Sequence, residues 1–420
     1  MKKRQHGSNQ VPRDLLLLLV IVGLYFLSIS LSNTFVNIYM WKQSKSFINI
    51  GLYNLMIVIF QPLMFLVGGQ LAKKVDRIIV LRLGIISLGC FFITVLLLGS
   101  KASSMTLLLG SIIGMGFGFF WLAFNVLTFE VTNPSTRDFF NGYSGLLSSF
   151  SGIICPFSAG WIISKMSDSI GYKIVFAISL LLFGLAIFVS FFLKKRPASG
   201  VLAFRTILNE RKNNKYWRAV LRASVSQGLR DGVYLFIVVI WIYSTTNSEF
   251  ALGTFGLVES SIMSVGYFLA TKVLKPKYRK RMILIGSLLM YMGILLIVFD
   301  LNFRNLMIYA VFASSAYPLL LVPFLSMTYD VIGKGWKAGD YRIEYIVVKE
   351  LFYNSGRICS ITVFLICMKI FGSSMFITRV IILLAALGYV GIYFFVRKIP
   401  IPITSMKSVS MPNPQKGKVN

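Results

Sequence analysis

Apolar residues run along this chain in blocks of about 20, the length a helix needs to cross a hydrocarbon layer roughly 30 Å thick. Twelve such blocks can be read, near 15–40, 47–71, 78–99, 105–129, 143–165, 172–193, 219–245, 251–273, 282–299, 304–329, 346–370 and 375–396. Six precede a polar, basic stretch at 194–218 and six follow it. The pattern predicts an all-α membrane protein with 12 transmembrane helices in two six-helix, pseudo-symmetric halves. It divides the chain into a tail (1–14), a first bundle (15–193), a linker (194–218), a second bundle (219–396) and a tail (397–420) rich in Pro, Ser and Lys and expected to be disordered. Within the linker, Val201-Leu-Ala-Phe-Arg-Thr-Ile-Leu208 has an amphipathic character suited to lying along the membrane surface against acidic headgroups.

Composition supports lipid as the solvent. The chain is 56% hydrophobic and 14% charged with a mean hydropathy of +0.76, more apolar surface than one soluble core can hide. Its net charge of +29 suggests a nucleic-acid partner until the positions of the charges are read. If both termini are cytoplasmic, 33 of the 43 Lys and Arg residues fall on the cytoplasmic side and eight on the other, leaving Arg230 and Arg357 inside the membrane. The basic residues therefore mark topology in a plasma membrane, and no nucleic acid is expected. The apolar run starting at Leu15 is too long for a secretory signal, and no small-residue cleavage site follows it. Cysteines 90, 155, 359 and 367 fall within spans, as small packing residues. The only histidine, His6, lies in the tail, which removes histidine proton relays, histidine metal sites and Ser-His-Asp catalysis. With no phosphate-binding Walker-A loop, ATP is not the energy source, and neither an enzyme nor a cofactor is expected.

Internal repetition relates the two halves. Val67-Gly-Gly-Gln-Leu-Ala-Lys-Lys-Val75 recurs as Val265-Gly-Tyr-Phe-Leu-Ala-Thr-Lys-Val273, with six of nine positions identical. Thr128-Phe-Glu-Val131 returns as Thr328-Tyr-Asp-Val331, and Ser151-Gly-Ile-Ile-Cys155 as Ser355-Gly-Arg-Ile-Cys359. The offsets of 198, 200 and 204 drift slowly, as in two units descended from one.

With the second and third spans joined by Gly69-Gln-Leu71-Ala72-Lys73-Lys74-Val-Asp76-Arg77-Ile-Ile-Val-Leu81, the chain resembles the major facilitator superfamily across its twelve-helix region. That family's loop reads roughly G-x-L-A-D-R-x-G-R-R-x-x-L. Lys73 stands where the family has an acid and Asp76 where it has its second glycine, so Asp76 is the candidate to supply the missing charge. The resemblance implies a secondary transporter whose halves rock about a midplane site. It also implies a conformational gate at Gly69, Lys73, Lys74, Asp76 and Arg77, with Gly266 and Lys272 in the second copy. The fifth span resembles the drug/proton antiporter motif G-x8-G-x3-G-P-x2-G-G at Gly142, Pro156 and Gly160, with Ser151, Cys155 and Ala159 as small substitutes. The related fourth-span signature keeps Gly114 and Gly116 but has Gly110 in place of its arginine, so the best-known antiporter proton mechanism does not carry over. Gly110, Gly114 and Gly118, at i+4 spacing, are expected to pack helices.

The repeat also shows where the halves differ. Ser32-Asn33 corresponds to Arg230-Asp231, Gln61 to Glu259, and Ile153 to Arg357, so the N-terminal half is neutral where the C-terminal half is charged. An ionised group at mid-bilayer costs roughly 2.5–3.5 kcal/mol even on lenient scales unless it meets a partner or a wet cavity. Arg230 and Arg357 are therefore candidate ligands for an anionic substrate group, and Asp231 and Glu259 candidate proton carriers. Asn33 and Asn37, with Asn54, are candidates to complete the site from the first half. The competing reading makes Asp231–Arg357 or Glu259–Arg230 ion pairs that hold helices together. The expected function is proton-linked export of an amphipathic or anionic organic solute by a monomer. Proton symport uptake, a lipid-linked precursor flippase and a non-transporting membrane partner are the alternatives.

Overall fold

The computed structural model describes residues 13–400 apart from 133, 167, 195–199, 201, 274–275, 339 and 373; within helices, the side chains of 129, 134–139, 141–142, 168–169 and 270–273 also fall outside the description. Gly142, Lys272, His6 and the C-terminal tail thus lie outside the described residues.

Among the described residues, twelve helices are long and apolar enough to span a membrane. The first half contains α1 (Arg13–Ser44), α2 (Phe47–Lys74), α3 (Arg77–Leu98), α4 (Thr106–Val131), α5 (Pro134–Lys165) and α6 (Asp168–Ser190). A short linker helix, α7 (Phe204–Asn213), leads to α8 (Lys215–Thr246), α9 (Glu249–Val273), α10 (Arg279–Phe299), α11 (Phe303–Gly333), α12 (Arg342–Phe371) and α13 (Met375–Val396). Short polar side chains start several of them. Ser46, Asn214, Asn302 and Ser374 each accept a backbone N–H that the first turn leaves unpaired. The fifth helix begins nine residues before its apolar block. Pro134 suits a first helical position, and the polar turns after it are invisible to a hydropathy reading.

The packing is two-fold. In the first half α1 lies against α5 and α6, α4 against α2 and α3, and α3 against α6. The second half repeats each pairing: α8 with α12 and α13, α11 with α9 and α10, and α10 with α13. The glycines of α4 make its contact with α2 close: a Cβ at Gly114 would stand 2.8 Å from the Ile57 carbonyl oxygen, and one at Gly118 2.5 Å from that of Gln61. Two equivalent seams join the halves, α2 with α12 and α5 with α9. The linker helix docks on the second half: Glu210 accepts the Trp336 N–H (3.1 Å) and the Tyr345 hydroxyl. Its Ile207 is fully buried.

Candidate functional site

Arg230 and Asp231 sit where α8 crosses α12 at backbone contact. Gly228 and Gly232 of α8 and Gly356 of α12 make that approach possible, since a Cβ at each would strike backbone of the opposite helix. Asp231 is boxed in. One carboxylate oxygen accepts Tyr389 Oη (2.6 Å) and Arg230 Nη1 (3.2 Å), and the other accepts Tyr353 Oη (2.9 Å) and Gln227 Nε2 (3.4 Å). Arg230 also donates to Tyr389 Oη (3.3 Å) and Tyr309 Oη (3.2 Å), and its guanidinium stacks 3.6 Å from the Tyr234 ring centroid. Tyrosines of three helices, α8, α11 and α13, thus aim the Arg230 guanidinium, while Tyr353 of α12 holds its partner Asp231. The sequence reading missed these tyrosines because, in an apolar span, an aromatic residue carries no mark separating cavity from lipid.

Arg230 opens onto a cavity of about 340 Å³ between the halves. Arg357, Glu259, Asn33 and Asn37 line the same cavity, together with Tyr25, Asn54, Gln61, Trp121, Tyr234 and Tyr309. Asp231 is not in its wall; it stands behind Arg230. Neither ion pair considered from the sequence forms. Arg357 donates instead to Gln61 of the first half (3.2 Å) and to Asn354 (3.1 Å). Asn37 and Asn54 bond to each other (3.0 Å), holding α1 to α2. Glu259 has no hydrogen bond or ion pair among the described residues, and the Nε atoms of both arginines and the Tyr234 hydroxyl are likewise without partners there. A second cavity, about 520 Å³, lies nearer the end that carries the termini, lined by Asn125, Thr128, Ser144, Tyr329, Lys349 and Glu350. On α4 it begins one turn beyond Trp121.

Charged contacts join the halves at both ends of the bundle. At the terminus-bearing end, Lys73 pairs with the fully buried Glu344 of α12, which also accepts the linker's Ala203 N–H (3.2 Å). At the opposite end, Lys42 of α1 pairs with Glu249 of α9 (2.9 Å), which also accepts Tyr172 Oη (3.1 Å). Asp76 caps α3 through the Ile78 N–H (2.9 Å), so among the described residues the charge expected of it comes from Glu344, 271 positions beyond Lys73. Arg77 pairs with Glu130 (2.8 Å), and the second half repeats this bridge as Arg279–Asp330 (2.6 Å). The recurrence of Thr-Phe-Glu-Val as Thr-Tyr-Asp-Val was the signal for that second bridge. Gly69 faces the linker's Leu202, and Gly266 faces Pro318 of α11. Lys74 ends α2 beside Lys73. Pro156 and Gly160 lie in the α5–α9 seam, where a Cβ at Gly160 would come 2.5 Å from the Glu249 carbonyl oxygen.

A family model described as Major Facilitator Superfamily matches residues 18–341. The chain belongs to this superfamily. It is 48% identical over 397 residues to "Uncharacterized protein YqgE" of Bacillus subtilis (strain 168), covering 94% of this chain and 92% of that one. It is 59% identical over 170 residues to "Uncharacterized protein in sodM 3'region" of Geobacillus stearothermophilus, covering 40% of this chain and 79% of that one. Among solved structures it is similar to a point mutant of the nucleoside transporter NupG (TM-score 0.68, 13% identity, 92% of this chain and 100% of that one). It is also similar to a point mutant of the E. coli fucose:proton symporter FucP (TM-score 0.60, 15% identity, 92% and 99%) and to the human organic anion transporter MFSD10 (TM-score 0.61, 14% identity, 92% and 100%). As a major facilitator, it is a multi-pass integral membrane protein and a secondary transporter of small molecules.

Proposed function

We propose that the chain carries an organic anion across the plasma membrane together with a proton, the anion held by Arg230 and Arg357 and the proton by Glu259. The observation behind this reading is that two guanidinium groups and a carboxylate with no ion pair among the described residues meet on one cavity whose other walls are neutral amides, hydroxyls, aromatic rings and aliphatic side chains. Both arginines keep a free Nε donor, and a carboxylate or phosphate group suits their planar fork. The aromatic walls, Tyr25, Phe117, Trp121 and Phe255, suit an apolar body on the same solute.

Co-transport is favoured over exchange by electrostatics. An anion and an ionised Glu259 repel in a space of low dielectric, so the cavity accepts the anion more readily when Glu259 holds a proton. Export, expected from the fifth-span motif, has less support, because Pro156 and Gly160 have a sufficient packing role in the seam. The abundance of basic residues at the terminus-bearing end supports its placement in the cytoplasm. Structural neighbours named as a fucose:proton symporter and an organic anion transporter accord with the reading.

Comparing the metabolites of medium and cytosol with and without the protein would nominate a solute. In proteoliposomes, its uptake by the wild type should then acidify a lumenal pH dye. Glu259→Gln should end the acidification, and Arg230→Gln with Arg357→Gln should end uptake itself. Proton-linked uptake that persists in Glu259→Gln would sink the assignment of the coupling residue.

A further inference from the structure

The cavity between the halves has a charged side and an aromatic side, and they belong to different halves. Arg230, Arg357 and Glu259 come from the second half; Tyr25 of α1 and Phe117 and Trp121 of α4 come from the first. Of the second half's own rings on the cavity, Tyr234 and Tyr309 are engaged with Arg230, and Phe255 is buried. The repeat shows the aromatic side to be as one-sided as the charged one. At the offsets of 198 and 200, Tyr25 corresponds to Ala223 and Trp121 to Leu321, while Phe117 keeps a ring in Tyr317. Trp121 is fixed in place, its ring nearly perpendicular to those of Tyr25, Phe120 and Phe124, with centroids 5.6, 5.8 and 5.6 Å away. It is nonetheless only half-buried in the cavity wall, as is Phe117 one turn earlier on the same face of α4.

The charges limit the solute to a single negative charge. Asp231, paired with Arg230 at 3.2 Å, offsets that guanidinium, and a proton on Glu259 removes the other carboxylate's charge. The site then carries the one net positive charge of Arg357. A monoanion neutralises it, whereas a dianion would leave a net negative charge in a space of low dielectric, where an unbalanced ion is costly. The cavity of about 340 Å³ lies near the lower end of the range for small-molecule sites, roughly 300–1,000 Å³, which suits a compact solute. A flat ring fits the rest of the wall, because aromatic rings in offset or edge-to-face contact attract one another beyond what the burial of equal apolar area supplies.

We infer that the transported solute is an aryl carboxylate with one negative charge, its carboxylate held by Arg230 and Arg357 and its ring set against Trp121 and Phe117. This rests on the transport reading above and names its substrate class. Each half recognises a different part of the solute, so the bound solute bridges the two halves and neither holds it alone.

The test is isothermal titration of the purified full chain with three acids: phenylacetate; cyclohexylacetate, which has the same charge and a ring of similar size but no π face; and succinate, a dianion. Phenylacetate should bind about 2- to 12-fold more tightly than cyclohexylacetate, and succinate more weakly than either. Trp121→Leu should reduce the preference for phenylacetate while leaving cyclohexylacetate binding in place, and Trp121→Phe should keep the preference. Absence of phenylacetate binding, equal binding of the two ring acids, or a preference untouched by Trp121→Leu would overturn the aryl class and leave anion transport standing. Succinate bound as tightly as phenylacetate would overturn the single charge. Phenylacetate bound as well by the double variant Arg230→Gln with Arg357→Gln as by the wild type would strike the anion reading and leave the aromatic wall standing.

Discussion

At the scale of single residues, the two acidic candidates separate by what surrounds them. Asp231 receives four donors and neutralises Arg230, so its removal leaves a buried cation with tyrosine hydroxyls alone. Asp231→Ala should destabilise the fold by about 3–5 kcal/mol, seen as a lower unfolding temperature in detergent. Glu259 has no such attachment among the described residues, so Glu259→Gln should unfold at the wild-type temperature while losing proton movement. An equal loss of stability in both variants would contradict this division. The sequence placed both acids near mid-membrane because charge stands out in an apolar span. It did not separate them, since the difference lies in Tyr353 and Tyr389, more than 120 positions from Asp231.

At the scale of helices, position and pairing were readable in different degrees. An apolar block of membrane length has few alternatives to a spanning helix, so all twelve appear where the hydropathy places them. Pairings within each half follow from the repeat, and Arg77–Glu130 with Arg279–Asp330 shows a bridge copied along with its helices. Both bridges are partly exposed, so Arg77→Ala and Arg279→Ala should each cost only about 0.2–1 kcal/mol in thermal unfolding. A much larger loss for either would show that it does more than tie two helix ends. The glycine ridge of α4 is less forgiving. Gly118→Leu pushes a branched side chain into the α2 backbone and should cost at least about 1–3 kcal/mol, with expression in the membrane as the simplest readout. Contacts between halves were not readable, because Lys42–Glu249 and Lys73–Glu344 join positions 207 and 271 apart with no repeat to announce them.

At the scale of the whole molecule, those two ion pairs lie at opposite ends of the bundle, and a rocking cycle must break them in turn. Lys42→Ala should bias the population toward opening at the end away from the termini, and Lys73→Ala toward opening at the terminus-bearing end. With the four native cysteines replaced and Asn33→Cys in the cavity, a membrane-impermeant maleimide added from each side reports which end is open. The exchange Lys73→Glu with Glu344→Lys should restore wild-type labelling. Failure of that rescue, with the protein folded, would assign the closure to the linker rather than to the charge pair.

The confinement of the cavity's charges to one half bears on why the two halves share a chain. A dimer of identical six-helix units would carry every cavity residue twice, setting two copies of Glu259 and two of Arg230 face to face across the axis. Fusion of a duplicated gene removes that constraint: one copy can accumulate ionisable groups while the other keeps Asn33, Gln61 and Ile153 as their neutral opposites. Polarity of this kind, with a charged wall facing a neutral one, is beyond the reach of a symmetric ancestor.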